Sequence, residues 1–171
     1  MKTKILFKSY KNFPKESVAF IDLTPSFADP CVRTQILDDL AGLFRDKIDF
    51  IVSPDARGFL WGMPVAERLG VGFIPLRKEG KLPKDAIAHT VRYKTEYSET
   101  ILCLPVGDIG GKRLLFVDDV YATGGTYMAA KQLVSRARGI LIGGAVVVDI
   151  ELDTNSDIRA LAKRSELTLY K

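Results

Sequence analysis

The segment with the clearest chemical potential is residues 117–126, which read VDDVYATGGT. Its two adjacent acids follow a short apolar run, and paired carboxylates can accept hydrogen bonds from a vicinal diol such as the 2- and 3-hydroxyls of ribose. The small residues that follow let the backbone close around an oxyanion at the start of a helix, where unpaired N–H groups favour negative charge. The pattern predicts a site for ribose 5-phosphate. Its predicted contacts are Asp118, Asp119, Ala122, Thr123, Gly124, Gly125 and Thr126.

The Gly-Gly-Thr run has a simpler interpretation, a tight turn from a strand into a helix. That interpretation does not account for the two acids before the run. Other nucleotide fingerprints are missing, because the chain has no G-x-x-x-x-G-K-[ST] and no G-x-G-x-x-G that opens a helix. Residues 110–112, Gly-Gly-Lys, are therefore interpreted as a turn before a strand.

Strands and helices alternate along the chain. Asp29 and Pro30 predict a helix N-cap and first turn, and apolar residues at helical spacing extend this helix to about Asp46. Further helices are predicted from the Arg57 region to about Leu69 and over 126–137. Strands are predicted at 48–53, 72–76, 89–93, 100–104, 114–117, 140–150 and 166–170, with a polar loop at 77–85. This order predicts an α/β fold, a mostly parallel central sheet flanked by helices, which binds ligands at the carboxyl ends of its strands.

Composition favours a single domain over residues 1–171, with 47% apolar and 27% charged residues. The apolar runs are too short for a membrane span, and the basic N-terminus has too short an apolar stretch for a secretory signal. Two cysteines and one histidine predict neither a disulfide framework nor a metal cluster, and both cysteines are expected to be buried. We expect a cytoplasmic protein without membrane or nucleic-acid partners, since the net charge of +4 fits a solvated face.

The segment at 117–126 resembles the phosphoribosyl diphosphate motif of type I phosphoribosyltransferases. The rest of the chain is similar to the adenine phosphoribosyltransferases within that family, in family order over about residues 13–150. The matching blocks are FP at 13–14, VAFIDLTP at 18–25, DARGFLWG at 55–62, RKEGKLP at 77–83 and the acid–aromatic pair at 96–97.

This resemblance implies the type I phosphoribosyltransferase fold, with an N-terminal hood segment at 1–28 and a mobile excursion at 84–104. It implies transfer of the 5-phosphoribosyl group from phosphoribosyl diphosphate to adenine, which gives AMP and pyrophosphate. It also implies a homodimer, and Mg²⁺ that binds through the diphosphate of the substrate without a direct protein ligand.

The resemblance assigns site residues as well, and it implies a cis peptide at Asp55–Ala56. Catalytic roles fall on Arg57, Lys81, Glu96 and Tyr97. The pyrophosphate contacts would be Ala56, Arg57, Arg77 and Lys81. The base contacts would be Val18, Ala19, Phe20, Ile21 and Val120.

Some positions depart from the family pattern. Ile21 stands where many relatives carry arginine, and Thr95 and Ser98 differ from the usual surroundings of the acid–aromatic pair. Two alternatives therefore stay open. One is a phosphoribosyltransferase for xanthine, hypoxanthine or guanine. The other is a regulator that only senses phosphoribosyl diphosphate, for which the residues before Phe13 are too few to hold a helix-turn-helix.

Overall fold

The computed structural model describes residues 3–16, 18–44, 46–94 and 99–167. The strands are β1 (Lys8–Lys11), β2 (Ala19–Asp22), β3 (Phe50–Pro54), β4 (Gly72–Lys78), β5 (Ile87–Lys94), β6 (Glu99–Pro105), β7 (Arg113–Tyr121), β8 (Ile140–Asp149) and β9 (Ile158–Lys163). The helices are α1 (Thr24–Ala28), α2 (Pro30–Gly42), α3 (Arg57–Leu69) and α4 (Gly125–Arg136).

Seven of these strands form one sheet in the order β5-β6-β4-β3-β7-β8-β9. Five adjacent strands, in the order β4-β3-β7-β8-β9, run parallel to one another, whereas β6 is antiparallel to both β4 and β5. The first two strands pair with each other as a separate antiparallel ribbon. The predicted α/β fold with a mostly parallel central sheet is confirmed.

Helices cover both faces of the sheet, which explains why β7 is apolar on each side. Leu115 and Val117 pack into a core shared with α2 and α3. Leu114 and Phe116 pack into a second core shared with α4. Continuous apolar runs of this kind are typical of parallel strands that are buried on both faces.

Helix α2 begins as the sequence predicts and ends earlier. The Asp29 carboxylate accepts hydrogen bonds from the backbone N–H groups of Cys31 and Val32, at 2.9 and 3.0 Å. The helix ends at Gly42 rather than at Asp46. The chain leaves it so that Phe44, only 6% exposed, can pack against Gly143 of β8.

Two predicted boundaries were wrong because neighbouring strands extend the pairing. Strand β7 continues to Tyr121, past the acidic pair, because β8 pairs with it up to Asp149. Arg77, placed by the sequence in a loop, belongs to β4 and lies opposite Cys103 of β6.

Among the described residues, the last strand is β9, which the sequence did not predict. Of the strand predicted at 166–170, Glu166 belongs to a 3-10 helix, and residues 168–170 lie outside the described residues.

The two cysteines of the chain differ in exposure. Cys103 is buried as predicted, but Cys31 is exposed because it lies on the outer face of the first turn of α2. In the described part of the chain, no helix is long and apolar enough to cross a membrane.

The packing of α3 on the sheet yields a test of the fold. A Cβ on Gly62 would overlap the Ser53 hydroxyl of β3, so Gly62→Ala must push α3 away from the strand. Overpacking of this kind costs about 1–3 kcal/mol. We expect the free energy of unfolding, measured by urea denaturation, to fall by that amount.

Gly42→Ala on α2 is the matched control, because no atom lies within 4 Å of the position where its Cβ would be. Alanine is the better helix former, so this variant should gain about 0.5 kcal/mol. Equal stabilities for the two variants would contradict the close packing of α3.

Candidate active site

A cavity of about 480 Å³ opens at the carboxyl edge of the parallel sheet. The end of β7, the first turn of α4, the β3–α3 loop and strand β2 all contribute to its walls. Loops that follow neighbouring parallel strands meet at this edge, which explains why segments far apart in sequence line one cavity.

The acidic pair lies at the centre of this cavity. Asp118 and Asp119 are only 9% and 3% exposed, and the backbone N–H of Asp119 donates to Asp118 Oδ1 at 2.8 Å. Burial, together with the neighbouring charge of Asp119, raises the pKa of Asp118 well above its ordinary value. Asp119 forms an ion pair through its Oδ2 with Arg57 Nε at 2.9 Å.

The glycine loop joins the acidic pair to α4. Gly124 has φ +77°, a left-handed conformation that favours glycine, and it is the N-cap of the helix. Gly125 packs directly against the backbone carbonyl of Lys94 at the end of β5, where a side chain would not fit. The loop therefore presents backbone and hydroxyl donors at a helix N-terminus, an arrangement suited to phosphate.

Arg57, at the start of α3, connects the acidic pair to β2. Besides its ion pair with Asp119, its Nη1 donates to the Ile21 carbonyl at 3.4 Å. Its guanidinium lies 5.0 Å from the centre of the Phe20 ring. The next residue, Gly58, lets the start of α3 lie close to β3 and β7, because a Cβ there would lie 2.6 Å from Pro54 Cδ and 3.0 Å from Asp118 Oδ1.

Comparison with known proteins places this geometry in a family. A model of the phosphoribosyl transferase domain matches residues 34–166. The adenine phosphoribosyltransferase of Streptococcus thermophilus is 40% identical over 153 residues, which are 88% of this chain and 88% of that protein. The chain belongs to the adenine phosphoribosyltransferase family.

Solved structures of this family superpose closely on the chain. The enzyme from Thermoanaerobacter pseudethanolicus is 37% identical, with a TM-score of 0.87 over 94% of this chain and 97% of that one. The Saccharomyces cerevisiae enzyme is 34% identical, with a TM-score of 0.82 over 93% and 96% of the two chains. Its structure contains adenine and D-2,5-dideoxy-2,5-imino-altritol 1,6-bisphosphate.

Most of the site residues that the sequence predicts line the cavity of this family member. All seven residues predicted for ribose 5-phosphate line it. They are joined by Ala19, Phe20, Ile21 and Val120 from the predicted base side and by Ala56 and Arg57 from the predicted pyrophosphate side. The predicted subsites therefore share one space.

Other predicted residues lie elsewhere. Val18, Arg77 and Lys81 do not line the cavity. Arg77 contacts the β3–α3 loop, because its Nε forms an ion pair with Asp55 Oδ2 at 3.2 Å. Lys81 is exposed. The predicted catalytic pair Glu96 and Tyr97, with Thr95 and Ser98 beside it, lies outside the described residues.

The backbone of the predicted pyrophosphate loop agrees with the sequence analysis. The Asp55–Ala56 peptide is cis, as predicted from the family resemblance. The ion pair between Arg77 and Asp55 also ties this loop to β4.

Sequence reasoning missed several residues of the cavity wall. Lys78, Tyr93, Tyr121 and Ile150 all line it. Lys78 and Tyr121 lie inside the quoted motif blocks, so their position was a usable signal. Tyr93 and Ile150 come from the ends of β5 and β8, and only the strand order shows that these ends face the cavity.

The raised pKa of Asp118 gives stability a pH dependence. The folded protein binds this proton more tightly than the unfolded chain, so the contribution to stability is complete below the ordinary value of 3.8 and is lost as pH rises through the raised pKa. An asparagine side chain at this position would stay neutral throughout. We expect the Tm of Asp118→Asn to gain on the wild-type Tm as pH rises above the ordinary carboxyl range, measured calorimetrically without ligand.

Asp157→Asn should show the opposite trend. Its hydrogen bond with Lys131 lowers the pKa of Asp157, so that contribution is present above the ordinary value and is lost in acid. This variant should therefore lose Tm relative to the wild type as pH rises. A pH-independent difference for Asp118→Asn would refute the raised pKa.

Proposed function

We propose that the chain transfers the 5-phosphoribosyl group from phosphoribosyl diphosphate to adenine, which yields AMP and pyrophosphate in purine salvage. The observation that carries this proposal is the single cavity in which the acidic pair and the glycine loop face Arg57 and strand β2. The adenine present in the yeast structure supports the choice of base.

The reaction breaks the bond between C1 of the ribose and the pyrophosphate oxygen, and forms a bond from C1 to a purine ring nitrogen. The electron pair of the broken bond leaves with the pyrophosphate, and the base loses the proton of its attacking nitrogen. Because the ring oxygen shares the positive charge at C1, the transition state resembles an oxocarbenium ion. Negative charge then builds up on the leaving group, where fixed cations are most effective.

Each part of the cavity has a role in this proposal. Asp119 and Asp118 accept hydrogen bonds from the ribose hydroxyls, and residues 122–126 bind the 5-phosphate. Arg57, in the cavity wall, stabilises charge on the leaving pyrophosphate beside Ala56. Lys81 and Arg77 lie outside this wall and are assigned to the same pyrophosphate from the family resemblance. Arg57 suits this role because it follows the β3–α3 loop and already spans the site from Asp119 to Phe20.

Mg²⁺ fits this site only as a companion of the substrate. Among the described residues, no group of three or more His, Cys, Asp or Glu side chains could hold a metal ion. Mg²⁺ usually retains several water ligands and binds readily to the phosphates of a substrate. Bound in that way, it would neutralise charge on the diphosphate, while the protein residues orient the ribose and the base.

The base is assigned to the pocket beside β2. Phe20 offers a ring face, Val120 also lines the cavity, and the Ile21 carbonyl can accept a hydrogen bond from the 6-amino group of adenine. Val18 and Ala19 complete this segment. Glu96 is proposed to accept or donate a proton near the base or the leaving group, and Tyr97 is proposed to close over the site. A cytoplasmic location and a homodimer complete the proposal, together with the hood at 1–28 and the mobile excursion at 84–104 of one domain.

A purine panel tests the reaction and the base together. The protein is incubated with Mg²⁺, phosphoribosyl diphosphate and adenine, hypoxanthine, guanine or xanthine, and nucleotide and pyrophosphate are measured. We expect AMP and pyrophosphate in equal amounts, and a preference for adenine of about tenfold or more, because a pocket that accepts a hydrogen bond from the 6-amino group rejects a 6-oxo base.

Other results of the panel have distinct meanings. If a 6-oxopurine is turned over faster than adenine, that base becomes the proposed substrate, and the proposed transferase activity is retained. If no base gives a product, the enzyme proposal fails. Salt-sensitive binding of nucleic acid without turnover would then favour the sensing regulator.

Arg57 can be tested against a second arginine on the same helix. Arg57→Ala removes a cation that contacts Asp119 and Phe20, and we expect kcat/KM to fall by about a hundredfold. Arg68→Ala removes a similar Nε–carboxylate pair, with Asp38 at 2.6 Å. Because Arg68 does not line the cavity, its loss should change kcat/KM by less than about twofold. Equal effects of the two changes would remove Arg57 from the mechanism.

A further inference from the structure

Two tyrosines flank the glycine loop, one at each end. Tyr121 precedes the loop and Tyr127 follows it, and both are buried, with 4% and 1% exposed. Both hydroxyls donate to aspartates in the connection between β8 and β9. The Tyr121 hydroxyl lies 2.6 Å from Asp153 Oδ2, and the Tyr127 hydroxyl lies 3.4 Å from Asp157 Oδ2. The connection at 150–157 is thus tied to both ends of the loop.

The Tyr121 contact is close to the predicted phosphate site. A Cβ on Gly124 would lie 2.6 Å from the Tyr121 hydroxyl and 2.9 Å from Asp153 Oδ2. The same carboxylate oxygen therefore accepts the tyrosine hydrogen bond and lies against the glycine loop. The two segments are also joined through the backbone, because the N–H of Ile150 donates to the Tyr121 carbonyl at 2.9 Å.

A carboxylate in this position opposes the binding of a phosphate. Although Asp153 is exposed, water screens its charge only in part, because the carboxylate lies so close to Gly124. Without this donor, the carboxylate would be free to turn from the α-carbon side of Gly124 toward the N–H groups that open α4. The short hydrogen bond from Tyr121 fixes the charged oxygen on the α-carbon side of Gly124 and satisfies it there.

We propose that Tyr121 is a positioning residue for the phosphate half of the site, and that it acts by holding the Asp153 carboxylate away from the bound 5-phosphate. This inference rests on the proposed function, since it needs a phosphorylated ribose in the glycine loop. It assigns Tyr121 a role in the affinity for phosphoribosyl diphosphate and none in the choice of base.

Tyr127 provides the matched control within the same loop. Asp157 has a second partner, because Lys131 Nζ lies 2.9 Å from the same Oδ2. When the Tyr127 hydroxyl is removed, the Asp157 charge stays paired with Lys131. Tyr127→Phe thus deletes an equivalent group and leaves no unpaired carboxylate beside the loop.

The test measures KM for phosphoribosyl diphosphate and for adenine in four variants of the full chain. Tyr121→Phe should raise KM for phosphoribosyl diphosphate about fivefold, with kcat and KM for adenine changed less than about twofold. The ratio of this KM to the wild-type value should shrink at high salt, because the penalty is electrostatic. Tyr127→Phe should behave like the wild type.

Asp153→Ala separates charge from mechanical support. It removes the hydrogen bond and the charge together, so KM for phosphoribosyl diphosphate should stay level or fall. The double variant Tyr121→Phe/Asp153→Ala should match Asp153→Ala. If Asp153→Ala raises this KM as much as Tyr121→Phe does, the contact is merely structural and the inference is overturned. Because Asp153 is exposed, this variant can be measured even if Tyr121→Phe fails to fold, and a raised KM for Asp153→Ala then overturns the inference by itself.

Failure of the inference and failure of the proposed function give different results. An active wild type with an unchanged Tyr121→Phe variant overturns only the role of Tyr121. If the wild type forms no product, the same ratios are measured as Kd for ribose 5-phosphate by calorimetry. A wild type that does not bind ribose 5-phosphate overturns both proposals.

Discussion

The ion pair between Arg57 and Asp119 joins the two halves of the site. Asp119 is almost completely buried within β7, where an unpaired carboxylate would be costly. Its partner must come from the start of α3, so the helix has to approach the sheet closely at that end. Gly58 and Gly62 make this possible, because neither position has room for a side chain. The cavity is therefore built by helix packing as much as by its polar residues.

Burial gives the two neighbouring acids different roles. Asp119 has a cation beside it, whereas Asp118 has Asp119 as its nearest charge and Gly58 packed against its carboxylate. One carboxyl group is thus paired, and the other is driven toward its neutral form. Adjacent carboxyl groups therefore differ in their environment, an asymmetry that the sequence Asp-Asp does not reveal.

The sequence predicts the sheet well, and the residues predicted for ribose 5-phosphate all line one cavity, because strong local signals mark both. The N-cap at Asp29 and the helix that ends at Leu69 follow from side-chain chemistry and periodicity. The prediction fails where tertiary pairing decides the structure. Strand β9 alternates apolar and polar residues only weakly and forms by pairing with β8. The roles of Glu96 and Tyr97 remain predictions from resemblance alone.

The contact between Gly125 and the Lys94 carbonyl has a consequence for how this sequence can vary. No side chain fits at position 125 unless the end of β5 moves, so a single mutation there would disturb both the glycine loop and the strand that precedes residue 95. A side chain at position 125 would thus require a compensating shift at the end of β5, although 30 residues separate the two segments in the chain. One backbone oxygen makes the mutational tolerance of the glycine loop depend on a distant strand.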